Sequence, residues 1–149
     1  MGRMSEGKGA RMATKKRWMY VPPKPPKPKV PDSVKSVVKT KADEFVESFL
    51  KPNFIKPPPK DYQWNYPVDI FTKWHQTYFY FCSTWRSPGP NAISEYFESR
   101  FARLEYAGGE KFNMAYMRYT GQWWEIFQSL TLEECIEEMR TNPLLQLAN

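Results

Sequence analysis

The chain has 149 residues, a net charge of +6, 17% aromatics and 7 glycines, which suits one domain with a core and argues against wholesale disorder. Its two cysteines, Cys82 and Cys135, are too few for a disulfide framework and lack the close spacing of a metal knuckle, so a reducing compartment is expected. No apolar run approaches the roughly 18 residues needed to span a bilayer, and the N-terminus lacks the apolar stretch of a secretory signal; a cytoplasmic protein with no membrane contact is expected.

The charge is unevenly placed. Residues 1–60 hold 15 Lys/Arg against 5 Asp/Glu, and residues 61–149 hold 7 against 11, so the halves are +10 and −4. Such asymmetry marks a basic arm that meets polyanions, or a solubilising tail, attached to a body that is not itself basic. Residues 1–31 are read as that arm, largely disordered, and residues 32–149 as a single domain. Lys15-Lys16-Arg17 runs into Trp18 and Tyr20, and the Pro/Lys decapeptide Pro22–Pro31 follows. Its prolines remove donors and fix φ, so it is predicted to be polyproline II, with Lys24 and Lys27 on one edge.

Asp32 or Ser33 can cap a helix that reaches Leu50, with Val34, Val37, Val38, Ala42, Phe45, Val46, Phe49 and Leu50 at helical spacing and Pro52 as its stop. Lys35, Lys39, Asp43, Glu47 and Lys51 fall on the opposite, solvated side. After a second stiff connector at Lys56–Lys60, Tyr62, Trp64 and Tyr66 alternate along an extended lead-in. Val68–Trp74 and Thr77–Arg86 read as strands about a turn at His75-Gln76, and Ser87–Asn91 as a loop. Gly108-Gly109 and Thr120-Gly121 signal two hairpins that join Phe97–Ala107, Glu110–Tyr119 and Gln122–Gln128. Thr131-Leu132-Glu133-Glu134 is a capping box for a short helix that ends near Asn142-Pro143, and the leucines of the tail either dock or fray.

Two-residue loops at both glycine turns would fix the register. One face then carries Ala102, Leu104, Ala115, Met117, Trp124 and Ile126, small at its centre and suited to a helix. The other carries Phe101, Arg103, Phe112, Met114, Tyr116, Arg118, Trp123, Glu125 and Phe127, with Arg118 opposite Trp123. That second face reads either as a half-core with snorkelling charges or as an aromatic and guanidinium platform on which unpaired bases stack.

Catalytic chemistry is poorly represented. His75 is the sole histidine and falls in a turn; Cys82 and Cys135 sit among apolar neighbours, where a thiol is inert. Cys82 with His75 across the first hairpin would be the one nucleophile–base pairing available. Glu105 and Glu125, on the Arg103 and Arg118 face, are explained by cross-strand ion pairing. Phosphate-binding glycine loops, serine elbows and zinc-protease helices are missing, so no cofactor or metal is assigned.

Phe101–Tyr106, Ala115–Tyr119 and Gln122–Phe127, followed by a short acidic helix, give the chain a pattern that resembles an uncharacterised bacterial domain-of-unknown-function family over about residues 33–143. The resemblance implies a module of helix, antiparallel meander and helix, without an activity or catalytic residues. The predicted fold is α+β, a five-stranded antiparallel meander packed by one long N-terminal and one short C-terminal helix. The predicted function is non-catalytic binding of nucleic acid, RNA or single strands. In that reading Arg11, Lys15, Lys16, Arg17, Trp18, Lys24, Lys27 and Lys29 of the arm meet phosphates, and Phe101, Arg103, Tyr116, Arg118 and Trp123 of the sheet meet bases. The alternatives are a protein partner that docks the Pro-x-x-Pro arm, a structural protein, and an enzyme built on the Ser87–Asn91 loop.

Overall fold

A computed structural model describes residues 27–58, 64–90 and 92–147. Arg11, Lys15, Lys16, Arg17, Trp18 and Lys24 of the arm, Tyr62 of the lead-in and Asn91 of the loop lie outside the described residues. Helix α1 (Asp32–Phe45) continues through a π-helical turn at Val46–Leu50 into α2 (Lys51–Phe54). Strands β1 (Tyr66–His75), β2 (Tyr78–Arg86), β3 (Tyr96–Gly108), β4 (Lys111–Met117) and β5 (Trp123–Leu130) follow, then α3 (Leu132–Thr141) and a 3-10 turn at Pro143–Leu145. The strands form one antiparallel sheet in sequence order, β1 to β5, so the fold is the α+β meander that the pattern predicts.

The long helical run passes Pro52 instead of stopping there. Proline has no N–H to give and crowds the carbonyl four residues back. The widened turn before it, in which the Lys51 amide reaches the Val46 carbonyl, carries the chain on to Phe54. Pro31, not Asp32 or Ser33, precedes the helix, without a side-chain cap. The apolar stripe is buried at Val38, Ala42, Phe45, Val46 and Leu50, whereas Val37 is 50% exposed. Two residues expected on the solvated side work elsewhere. Lys39 Nζ donates to the Thr72 carbonyl and hydroxyl, each at 2.8 Å, and that hydroxyl donates to Asp43 Oδ1 at 2.5 Å. This network fastens α1 to β1, beside Trp74, whose indole donates to the Lys35 carbonyl.

Opposite these helical residues the core takes Ile70, Phe79, Phe81, Ala102, Leu104, Phe112 and Met114 from one face of the sheet. Helix α3 closes it with Leu132, Cys135 and Met139, and Arg140 lies 5.2 Å from the Phe45 and Phe49 rings. The tail docks through Leu145 and Leu147, while Leu144 is exposed. At the other end packing reaches back to Val30, which is 4% exposed in the core.

Both glycine hairpins differ from the expected loops. Between β3 and β4 the loop is Gly109-Glu110, both with positive φ of +59° and +58°, as a type I′ turn requires, and Gly108 (φ +87°) belongs to a bulge. Between β4 and β5 the Arg118 amide donates to the Gln122 carbonyl, leaving a three-residue loop that ends on Gly121 at φ +83°. Each change slips the register by one, and a slip of one turns every side chain to the opposite face. β4 is therefore inverted relative to β3. Phe112, Met114 and Tyr116 share the core side with Leu104 and Ala102, while Ala115 stands opposite Arg103. Next to the second turn the two slips cancel, so Trp124 returns to the Ala102 side, and Trp123 and Glu125 to the Arg103 side. The first hairpin turns at Gln76-Thr77, one residue beyond the expected His75-Gln76.

Candidate functional site

The helices all pack on the core side, and the opposite face of the sheet carries the chemically richest cluster among the described residues. It begins on β2, where Tyr78-Phe79-Tyr80-Phe81 alternates; the phenylalanines enter the core, and the tyrosines take the opposite side, Tyr78 half-buried and Tyr80 6% exposed. Glu105 stands opposite Tyr78, and Arg103 opposite Tyr80. A bulge on β3 then changes the alternation: Phe81 pairs with Ala102 but Cys82 with Arg100, so Phe101 is the extra residue. Phe101 turns inward, 8% exposed and 6.3 Å from the Phe81 ring. Arg100 is brought out beside Arg103.

The two guanidinium groups lie on aromatic rings. Arg100 is 4.2 Å from the Tyr80 centroid, and Arg103 is 4.5 Å from that of Tyr78 and 4.9 Å from that of Trp123. Tyr80 is itself 6.0 Å from Tyr78 and 5.8 Å from Trp123, so three rings form a continuous row across the sheet. Trp123 reaches Tyr80 over Ala115, whose small side chain is buried beneath. Cation–π contact draws each guanidinium over a ring face and does not use up its N–H donors. Among the described residues neither Arg100 nor Arg103 has a carboxylate within ion-pair distance.

Lys27 joins this cluster from the arm. Its ammonium donates to the Tyr78 hydroxyl and pairs with Glu105 at 2.9 Å. The Tyr78 hydrogen bond, and after it the one to Glu105, raises the Lys27 pKa above its usual value, so it stays charged. Pro28 follows beside Gly108, within 3.8 Å of where a side chain on that glycine would stand. Lys29 is exposed.

Of the sheet residues expected to meet bases, the fold gathers Arg103 and Trp123 on the open face with Lys27 of the arm. Phe101 and Tyr116 are not there: the bulge takes the first into the core, and the inverted register turns the second to the core side, opposite Ala102. Arg118 lies 4.8 Å from the Trp124 ring, opposite Tyr116 at the helix-side rim, and does not pair with Trp123. Tyr78, Tyr80 and Arg100 join the site unannounced. The alternation of Tyr with Phe carried the signal for the tyrosines, since a hydroxyl disfavours a dry core. Nothing local marked the bulge that delivers Arg100.

Other candidate chemistry is dispersed. His75 pairs with Tyr78 at the end of the first hairpin and Cys82 with Phe71, four residues further along β2, roughly 13 Å at strand rise. That separation removes the Cys82–His75 pairing. Burial pushes the Cys82 thiol up, and the Cys135 thiol up to about 12. Glu105 is held by Lys27, and Glu125 accepts from the Gln128 amide at 2.8 Å. No group of three His, Cys, Asp or Glu gathers among the described residues, and no helix among them is long and apolar enough to cross a membrane. A groove of about 390 Å³ runs between α1 and the start of α3, lined by Val34, Val37 and Leu132 together with Glu110, Lys111 and Glu133.

The family model described as Domain of unknown function (DUF3024) matches residues 30–146, from the buried Val30 to the turn before Leu147. The chain belongs to that family. It has no significant match among the curated proteins or the solved structures.

Proposed function

We propose that this member of the DUF3024 family is a non-catalytic, cytoplasmic protein that binds single-stranded nucleic acid on the helix-free face of its sheet. The observation that carries this reading is the placement of Arg100 over the Tyr80 ring and of Arg103 over the Tyr78 and Trp123 rings, with the root of the basic arm at Lys27 on the same face. A planar guanidinium stacks on a base through its free surface and donates to phosphate through its edge, so one side chain serves both parts of a nucleotide. The single strand is favoured because a row of rings and guanidinium planes reads bases that are unpaired, and a duplex hides them. The arm supplies what the face lacks. Glu98, Glu105 and Glu125 offset the cations of the sheet, whereas residues 1–26 carry 7 Lys/Arg and a single acid.

Fluorescence anisotropy with a labelled oligouridine tests this. If about five cations neutralise phosphates, affinity for a single strand falls roughly 130-fold between 50 and 200 mM salt. Replacing Arg100 and Arg103 together by Ala weakens binding at least about tenfold, the loss of one stacking contact or more. Absence of binding by the intact chain at low salt would overturn the reading. A chain that lacks residues 1–26 and keeps the full salt dependence would remove the arm from it.

A further inference from the structure

We propose that Lys27 and Glu105 form a latch that holds the root of the basic arm on the open face, so that Lys27 acts as a positioning residue and not as a phosphate ligand. The inference rests on the reading just given. Glu105 presents a carboxylate on the face that would receive a polyanion, two residues from Arg103 and directly opposite Tyr78. Left unpaired, it would repel the ligand. Instead its oxygen is 2.9 Å from Lys27 Nζ, and the Tyr78 hydroxyl accepts from the same ammonium. The lysine's charge is thereby neutralised locally, which makes it a poor partner for a further anion and a good anchor.

The segment after the latch is fixed as well. Pro28 lies against Gly108, Val30 is buried in the core, and α1 starts at Asp32. Within four residues the chain passes from the open face, round the end of the sheet between the β1–β2 and β3–β4 turns, to the helical side. Lys27, the root of the arm, is therefore held on the open face beside Tyr78 and Arg103. Fixing that starting point raises the effective concentration of the arm's cations at a strand already held by the arginines, which adds avidity without a new contact.

The latch reverses the sign expected from charge alone. Glu105→Lys adds two positive charges to the face, and simple attraction would make a labelled oligouridine bind more tightly at low salt. With the latch broken, binding weakens about tenfold. Lys27→Glu weakens it too, and the exchange Lys27→Glu with Glu105→Lys brings it back to within about twofold of the original. Tighter binding by Glu105→Lys, or no recovery in the exchange, would overturn the latch.

A readout free of nucleic acid accompanies this. The heteronuclear NOE of the Lys27 and Lys29 amides drops in Glu105→Lys and recovers in the exchange. Unchanged values refute the latch whatever the binding data show. Should the intact chain fail to bind oligouridine while the NOE behaves as expected, the proposed function falls and the latch stands. Glu105→Gln, neutral and of the same shape, replaces Glu105→Lys in both measurements if the latter does not fold.

Discussion

Thr72 is, with Ser83, a buried hydroxyl on the core face, 4% exposed, and both its partners come from the polar side of α1. Its hydroxyl donates to Asp43 and accepts from Lys39, so the helix is registered on β1 by hydrogen bonds as well as by shape. Thr72→Val keeps the volume and removes the hydroxyl. Lys39 retains the Thr72 carbonyl and its 3.3 Å contact with Asp43, so the cost is that of the two hydrogen bonds made by the hydroxyl, about 2 kcal/mol. Urea unfolding should show a lower midpoint with an unchanged m-value. The helical period placed Lys39 and Asp43 correctly on the non-apolar side. It could not reveal that this side leans against Thr72, because a helix near a sheet edge touches the sheet along more than its apolar stripe.

Helix α3 is the element whose sequence pattern and geometry agree most closely. The Thr131 hydroxyl accepts from the Glu134 amide, and the Glu134 carboxylate accepts from the Thr131 amide, closing the box that Thr-x-x-Glu announces. Thr131→Ala should therefore cost about 1 kcal/mol of unfolding free energy near neutral pH. The Thr131 backbone hydrogen bond, and after it the Thr131 side chain, holds the Glu134 carboxyl below its usual range. A depressed carboxyl contributes stability that is present above its unfolded value and lost as pH falls through the folded one. The stability gap between the natural chain and Glu134→Gln should accordingly be widest near neutral pH and close in acid, which thermal melts at successive pH values would show. The hairpins lie at the opposite extreme. Two adjacent glycines at 108 and 109 are compatible with more than one loop, and the choice between them, made by Glu110 entering positive φ, decides the orientation of all of β4.

At the scale of the whole molecule the sheet separates two environments, and each holds one thiol. Cys135 is buried in the core and Cys82 lies on the open side between Phe71 and Arg100, yet each is 1% exposed. Desolvation raises both pKa values, that of Cys135 to about 12, so at neutral pH both remain protonated and unreactive. Neither should react with a disulfide reagent in the folded protein, and both should become reactive in one transition on unfolding. Early reaction of Cys82 alone would mean that the Arg100 and Tyr80 layer over the open face breathes independently of the core. The charge division also belongs to this scale. Lys27 is where the basic arm meets the open face of the sheet, and the family match begins three residues later, at residue 30.

The sequence by itself determined the element order, the meander and the excess of cations in the arm. Each of these follows from local periodicity, turn residues and charge counts, which no distant contact can alter. It also placed Arg103 and Trp123 on one face, since two register slips next to the second turn cancel. Only the tertiary structure decided the rest of the site. The Phe101 bulge exchanges a phenylalanine for Arg100, the first glycine hairpin withdraws Tyr116, and the pairing of Lys27 with Glu105 joins residues 78 positions apart. Bulges and loop lengths are selected by how well the whole sheet then packs beneath its helices, and a linear pattern holds no record of that competition.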